Sequence, residues 1–205
     1  MPIRCREDAV AVLKTREDVI VQLVHEAFCE VYDQLGPIVI LLEGWTKAGV
    51  FRDITKEKLR RFAEIDPGLK MVRRGNATSL RIEDAFIARL KKLDDKKRAR
   101  ISRTRASRDF DVNGDQQWSL DLRDRPLTNS YLGYVANEND PRRPSVYFVV
   151  NDATGKHAWE PIELVAKPGA AGALIPASDL PDDGKPEPSR ARIRKGAAPR
   201  EKKTG

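Results

Sequence analysis

Apolar residues at three- and four-residue spacing mark the first long element of the chain. In the segment 16–34 they lie on one helical face, at Ile20, Leu23, Val24, Ala27, Phe28 and Val31. Thr15, with Asp18 three residues later, has the spacing of an N-terminal cap, and Gly36-Pro37 is typical of a helix end. The pattern therefore predicts an amphipathic helix over 16–34, preceded by a less regular helix within 1–15.

Two shorter helices and a hairpin are predicted next. The run 37–48 has five consecutive apolar residues, which fit a short buried helix or a buried strand; a proline at the first helical position favours the helix. Thr55 is the predicted cap of a helix over 55–65, which Asp66-Pro67-Gly68 ends. Two short segments around Gly75-Asn76 then predict a β-hairpin over 69–82.

The stretch 83–108 is predicted to be one long helix. Phe86, Leu90 and Leu93 continue an apolar stripe, but beyond Leu93 only Ile101 extends it. We therefore expect the first three turns to close an N-terminal core. The later turns have little to bury and should project from it or lie along a charged partner.

Aromatic and β-branched residues dominate the next part of the chain. They fall in four segments separated by turn-forming residues, at 118–122, 130–137, 145–152 and 157–164. The spacing predicts four strands in an antiparallel meander or a small SH3-like barrel. The third segment is apolar on both of its faces, so one face is predicted to bind a protein partner or a second copy.

Positive charge is concentrated in the predicted long helix. Residues 89–108 contain ten Lys or Arg against two Asp, a net charge of +8, whereas the whole chain carries +7. Residues 110–167 carry six Lys or Arg against nine acids and are a poor candidate for binding phosphate. A segregated cationic run of this size indicates an anionic partner, with nucleic acid as the first expectation.

The element order helix, helix, helix, hairpin, helix over residues 16–95 resembles the winged-helix superfamily of DNA-binding domains. The resemblance implies that the helix 55–65 enters the major groove and that the hairpin tip contacts the adjacent backbone or minor groove. It departs from that mode at Glu57 and Glu64, acids that would oppose phosphate unless they pair within the helix. The predicted nucleic-acid-binding residues are the cations of that helix, the hairpin tip and the basic run: Lys56, Lys58, Arg60, Arg61, Arg73, Arg74, Lys96, Lys97, Arg98, Arg100, Arg103 and Arg105.

The fold class expected from these patterns is α+β with four parts. A helical, winged-helix-like domain is predicted over 1–95 and a basic helical connector over 96–109. A small antiparallel β domain follows over 110–167. The remainder, 168–205, has six Pro, five Gly and no aromatic residue, so it is predicted to be a disordered basic tail.

Residues suited to catalysis are sparse. His25 falls within the first amphipathic helix, and His157 lies at a predicted strand start, where Asp152 could approach it. Asp152, Glu163 and Lys167 have the order of a metal-dependent nuclease core, but three residues rather than one separate the last two. They would not share a strand face as that chemistry requires. No catalytic residue is therefore predicted.

Neither a metal site nor a cofactor is predicted. Cys5 and Cys29 lack the close spacing of a metal-binding or redox pair, so both are expected to be reduced thiols. Gly155-Lys156 lacks the remaining residues of a phosphate-cradling loop. The charged start of the chain has no secretory h-region, and no apolar run reaches the length of a membrane span.

The function predicted from the sequence is non-enzymatic binding of double-stranded DNA, as a regulator or an accessory factor of a mobile element. RNA binding is an alternative, as is an adaptor or inhibitor that docks a basic helix on an acidic protein. The expected location is the cytoplasm, or the nucleoid if DNA is the partner, with no membrane association.

Overall fold

The structure, a computed structural model, describes residues 3–74, 77–102, 104–113 and 127–166. Its helices are α1 (Arg6–Leu13), α2 (Glu17–Leu35), α3 (Ile38–Leu41), α4 (Gly44–Ala63) and α5 (Arg105–Asp111). Its strands are β1 (Leu69–Arg74), β2 (Ala77–Ile82), β3 (Phe86–Lys92), β4 (Thr128–Val135), β5 (Ser145–Val149) and β6 (Ile162–Leu164). The expected α+β class is confirmed. None of the helices described is long and apolar enough to cross a membrane.

All six strands belong to one mixed sheet in the order β1-β2-β3-β4-β5-β6. Neighbours are antiparallel except β3 and β4, which run parallel with Ala88 opposite Ser130 and Lys91 opposite Gly133. A parallel pair requires a crossover connection. The chain between Leu93 and Leu127 makes this connection and carries α5.

The sheet buries apolar side chains on both faces. The main core joins one face to the N-terminal helices and includes Ile20, Leu59 and Phe86, each at 0% exposure. A smaller cluster on the other face contains Ile87, Phe110 and Val149. The sheet is thus covered by α2 and α4 on one side and by α5 on the other.

The helix predicted over 16–34 is confirmed as α2, and Gly36 ends it with a positive φ of 46°. The run 37–48 is helical rather than a strand, but it is divided between α3 and the start of α4. The cap predicted at Thr55 is wrong, because α4 continues without interruption from Gly44 to Ala63 and Thr55 is buried in its middle. The predicted helix 55–65 is therefore the second half of a longer one.

The long helix predicted over 83–108 is wrong. Residues 83–85 form a turn, and Phe86–Lys92 is a strand between β2 and β4. The spacing of Phe86 and Leu90 fits a helix, but Phe86, Ala88 and Leu90 also alternate, which is the pattern of a strand. Pairing on both edges satisfies the backbone of β3, and partners remote in sequence therefore decide the structure.

The hairpin predicted over 69–82 is confirmed as β1 and β2, with Arg74 opposite Ala77. Strands are confirmed within three of the four predicted β segments, as β4, β5 and β6. The separate meander or barrel is wrong, because β4 pairs with β3 in an open sheet that runs from Leu69 to Leu164. The segment 118–122 and the predicted tail, 168–205, lie outside the described residues.

The face of β5 that was predicted to bind a partner is covered. Val149 is 1% exposed and packs in the cluster with Phe110, and Tyr147 packs against the same cluster. Exposed large apolar side chains occur instead at the corner between α3 and α4, where Leu41 is 83% and Trp45 is 77% exposed.

Arg16 connects the start of α2 to two turns, the one before β1 and the one after β2. Its Nε donates to Asp66 Oδ2 at 2.6 Å, and its Nη2 lies 2.7 Å from Glu83 Oε1. Asp66 Oδ1 also accepts from the Gly68 amide at 2.8 Å. The hydrogen bond from Arg16 is the main cause that lowers the pKa of Asp66 from its ordinary value.

We expect Asp66→Asn to destabilise the fold at neutral pH by about 1–3 kcal/mol, because it removes a charged acceptor from a mostly buried pair. A carboxyl whose pKa is depressed on folding contributes stability above its unfolded pKa and loses it as the pH falls through the folded value. Urea unfolding should therefore give a difference between wild type and variant that shrinks below about pH 4. A difference independent of pH would contradict this account.

Gly133 sits where β4 passes the buried side chain of Leu93. A Cβ added at Gly133 would overlap Leu93, approaching its Cδ2 to 2.7 Å. We expect Gly133→Ala to lower stability by roughly 1–3 kcal/mol through overpacking. Leu93→Ala in the same chain should recover part of that loss, and additive losses in a double-mutant cycle would exclude the clash as the cause.

Candidate nucleic-acid interface

All four cations predicted on the second half of α4 are engaged by acids of the same chain, Lys56 by Asp53 at 2.9 Å. Lys58 Nζ lies 2.8 Å from Glu30 Oε2, on the neighbouring helix α2. Arg60 pairs with Glu57 at 2.8 Å and also with Glu64. Arg61 shares Glu57 at 3.0 Å.

Glu57 neutralises much of the positive charge of Arg60 and Arg61 on this face of α4. Hydrogen bonds from Arg60 are the largest cause, and those from Arg61 add to them, lowering the pKa of Glu57 from 4.5 to about 2. A carboxylate held in its charged form between two guanidinium groups cancels much of their field at longer range. This face offers less free positive charge than its composition suggests.

Lys56 differs from its neighbours because it lies beside a pocket. Together with Arg52 of the same helix, it lines a cavity of about 200 Å³ with Arg89 and Lys91 of β3. The cavity lies at the end of the sheet where β2 begins and β3 ends, and Ile101, Ser102 and Ser107 also line it. Hydroxyl-bearing residues complete the polar lining, namely Thr78, Ser102, Ser107 and Tyr131.

All the charged side chains that line the pocket are positive. No Asp or Glu of the described chain lines it. Asp53 lies beside it, 59% exposed, and holds Arg52 at 3.1 Å and Lys56 at 2.9 Å. Among the described residues, none makes a hydrogen bond or an ion pair with the Lys91 ammonium group.

The charge of Lys91 is held at an energetic cost. Partial burial is the main cause that lowers its pKa, and the positive charges of Arg89 and Arg52 lower it further, while Asp111 opposes them. Burial disfavours the charged form because water no longer solvates it. An anion in this pocket would relieve both effects at once.

Buried contacts hold two of the residues that line the pocket, Tyr131 and Arg89. Tyr131 donates to Asp111 Oδ1 at 3.0 Å, and Asn151 Nδ2 donates to the same oxygen at 2.7 Å. The Arg89 guanidinium lies 3.7 Å from the centre of the Phe110 ring, a cation–π contact. Burial is the largest cause that raises the pKa of Tyr131 well above its usual range, so its hydroxyl stays protonated as a donor.

The basic run after β3 forms a tight turn and an irregular segment rather than a helix. The Arg98 amide donates to Asp94 Oδ1 at 2.8 Å, and Lys97 adopts a positive φ of 60°. Lys97 Nζ donates to the Asp95 carbonyl and lies 5.4 Å from the Tyr147 ring centre. The side chains of Lys96, Arg98 and Arg100 are exposed on this turn.

Among the remaining predicted cations, Arg73 and Arg105 have described side chains. Arg105 begins α5 with its side chain 92% exposed, 3.6 Å from Asp109. Arg73 is exposed on β1 opposite Thr78, a pocket residue, and Arg74 is the last residue of that strand. Arg103 lies outside the described residues.

The residues considered for catalysis have structural partners. His157 Nε2 lies 3.2 Å from the Lys97 carbonyl, and His25 Nε2 lies 3.0 Å from the Pro144 carbonyl. Asp152 accepts from the Thr154 and Lys156 amides in a turn. No group of His, Cys, Asp and Glu able to hold a metal ion occurs in the part of the chain that the structure describes.

The structure thus brings Lys56 together with three cations that sequence reasoning missed, Arg52, Arg89 and Lys91. The spacing of these cations in the sequence is compatible with such a cluster. Residues 52 and 56 are four apart, and residues 89 and 91 are two apart, so each pair shares a face once the first lies on a helix and the second on a strand.

In comparisons with known proteins, no family model, no curated protein and no solved structure matches this chain.

Proposed function

We propose that the protein binds nucleic acid without catalysing a reaction, with double-stranded DNA as its first partner. The observation that carries the proposal is the pocket in which Arg52, Lys56, Arg89 and Lys91 converge with no carboxylate in the lining. Phosphate groups supply the negative charge that this arrangement lacks. A site of this kind gains affinity from direct attraction and from the release of condensed counterions.

The exposed basic turn supports the same interface. Lys96, Arg98 and Arg100 are exposed shortly after β3, and Ile101 and Ser102, which come next, line the pocket. The exposed Arg73 of β1 lies opposite Thr78 of the pocket. A nucleic-acid strand bound at the pocket can therefore contact further cations through its phosphate backbone. These contacts add affinity without sequence preference.

A winged-helix docking mode has less support. It would direct Lys58, Arg60 and Arg61 into a major groove, yet these three side chains are paired with Glu30, Glu57 and Glu64. Binding of these three side chains to DNA would break their ion pairs and leave the glutamates facing phosphate. We therefore place the proposed contact at the end of the sheet rather than along the second half of α4.

An affinity titration of the full chain against duplex DNA over a range of salt concentrations tests the proposal. Binding should weaken steeply with salt, with a log–log slope of about −0.9 for each phosphate contact. Absence of binding even at low salt would refute the proposal. Competition among duplex DNA, single strands and structured RNA then decides the class of nucleic acid, because an RNA preference would support the alternative of an RNA-binding protein.

An adaptor that docks its basic surface on an acidic protein is the remaining candidate. Nuclease treatment separates it from nucleic-acid binding. A stoichiometric protein partner that co-purifies after nuclease digestion, together with no salt-dependent binding of DNA or RNA, would favour the adaptor. Loss of all co-purifying material on digestion is the result expected here.

A further inference from the structure

The charge in the pocket exceeds what one internal phosphate can balance. Arg52 and Lys56 share Asp53, which leaves that pair with a net charge of +1. Arg89 and Lys91, counted with the nearby Asp111 carboxylate, add one more. An internal phosphodiester brings one negative charge. A phosphate monoester brings about −1.5 to −2 at pH 7, with three strong acceptor oxygens.

The shape of the pocket favours the same ligand. Its lining comes from α4, from strands β2, β3 and β4, and from Ile101, Ser102 and Ser107, so donors converge from several sides on about 200 Å³. An internal phosphate is attached to a sugar on both sides and approaches such a concave site with one face. A terminal phosphate is attached on one side only, so its remaining oxygens can all meet donors.

The available donors match a monoester. The ammonium group of Lys91 has no hydrogen-bond partner among the described residues, and Thr78, Ser102 and Ser107 bring hydroxyl groups to the lining. Charge-assisted hydrogen bonds to a dianion are stronger than those between neutral groups. Burial, and then the charges of Arg89 and Arg52, lower the pKa of Lys91, so an anion placed beside it would stabilise its charged form.

We infer that this pocket binds the terminal phosphate monoester of a nucleic-acid strand, so that the protein recognises phosphorylated ends in addition to the backbone. The inference rests on the proposed function, because it assigns the ligand of the same site. The terminal phosphate would lie between Lys91 and Arg52, while the exposed turn carrying Lys96, Arg98 and Arg100 would contact the adjoining strand.

The test compares ligands that differ only at their ends. Oligonucleotides of one sequence carry a 5′-phosphate, a 3′-phosphate or hydroxyl groups at both ends, each as duplex and single strand, and a covalently closed circle has no end. We expect one phosphorylated end to bind the wild type about tenfold or more tightly than the hydroxyl-ended strand. Lys91→Gln should remove that difference, whereas Arg60→Gln, which alters a paired cation outside the pocket, should keep it.

The outcomes separate the two proposals. Equal binding of all ends and of the circle would overturn the inference and leave nucleic-acid binding intact, whereas no binding to any ligand would overturn both. Inorganic phosphate and a mononucleotide serve as competitors. If either displaces the phosphorylated strand at concentrations equal to that strand's own dissociation constant, the pocket recognises a phosphate monoester alone, and the assignment to strand ends is wrong.

Discussion

Replacing Arg52, Lys56 and Lys91 by glutamine is expected to weaken binding of duplex DNA on the order of 10²-fold at 0.1 M salt. Asp53 already offsets one of the three charges, and each of the two phosphate contacts that remain contributes roughly tenfold there. The slope of log affinity against log salt should become shallower by about 0.9 for each phosphate that the variant no longer neutralises. These three side chains line one pocket with no carboxylate in the lining. Arg89 is kept because it packs on Phe110, so that the variant tests charge and not the core.

The chain provides a matched control on the same helix. Replacing Lys58, Arg60 and Arg61 by glutamine removes the same number of charges, but from side chains that lie outside the pocket lining and pair with Glu residues. Its net charge equals that of the pocket variant, so any long-range effect of charge is identical. We expect its affinity to fall far less and its salt slope to stay near that of the wild type.

Comparable losses of affinity in the two triple variants would show that total charge, and not the pocket, governs binding. Thermal unfolding of both variants provides the necessary check on folding. The pocket variant should unfold within a few degrees of the wild type, because it removes partly exposed side chains and relieves repulsion around Lys91. A large drop in its midpoint would mean that the pocket charges stabilise the fold.

Local signals in the sequence predicted the elements whose structure is decided locally. The apolar stripe of α2 and the positive-φ glycine at its end are properties of adjacent residues. The hairpin of β1 and β2 likewise follows from a short turn between two short segments. In each case the nearest neighbours in the chain supply most of the hydrogen-bond partners.

The strand β3 could not be predicted in the same way. Its partner β4 begins 36 residues after β3 ends, as Thr128 follows Lys92, so no local window contains both. The acids Glu83 and Asp84 are typical of a helix start, yet Glu83 has a positive φ of 49° and turns the chain into β3. A helix over 83–92 would turn successive side chains by about 100°, whereas the strand alternates them between the two faces of the sheet.

The candidate site was misjudged for the same reason. On a helix, Arg89 and Lys91 point in nearly opposite directions, whereas on a strand they share a face. Arg52 was placed between two predicted helices, although α4 is continuous and sets it one turn before Lys56. Charge counting points to the region of the candidate site, but only the backbone geometry selects the cations that converge.

Substituting Phe148 by alanine is expected to cost about 3–5 kcal/mol and to destabilise the N-terminal helices together with the sheet. Phe148 is 0% exposed on β5, with its ring centre 5.3 Å from that of Phe86 on β3. It belongs to the same core as Ile20 of α2 and Leu59 of α4. A cavity there weakens the packing of elements on both sides of the boundary predicted at residue 95.

Two probes in urea unfolding distinguish a shared core from separate domains. Circular dichroism at 222 nm follows the helices, which are longest in α2 and α4. Fluorescence of Trp159, which stacks near Phe148 with ring centres 6.4 Å apart, follows the β region in a chain carrying Trp45→Phe and Trp118→Phe. A shared core gives coincident transitions for both probes, before and after the substitution.

Leu59→Ala is the corresponding test in the N-terminal helices. Leu59 is 0% exposed on α4, so its truncation should cost about 2–5 kcal/mol and shift the Trp159 signal as much as the helical signal. Two independently folding domains divided near residue 95 would respond differently. Phe148→Ala would then move only the fluorescence transition and Leu59→Ala only the dichroism transition, because a cavity in one cooperative unit leaves the unfolding of another unchanged.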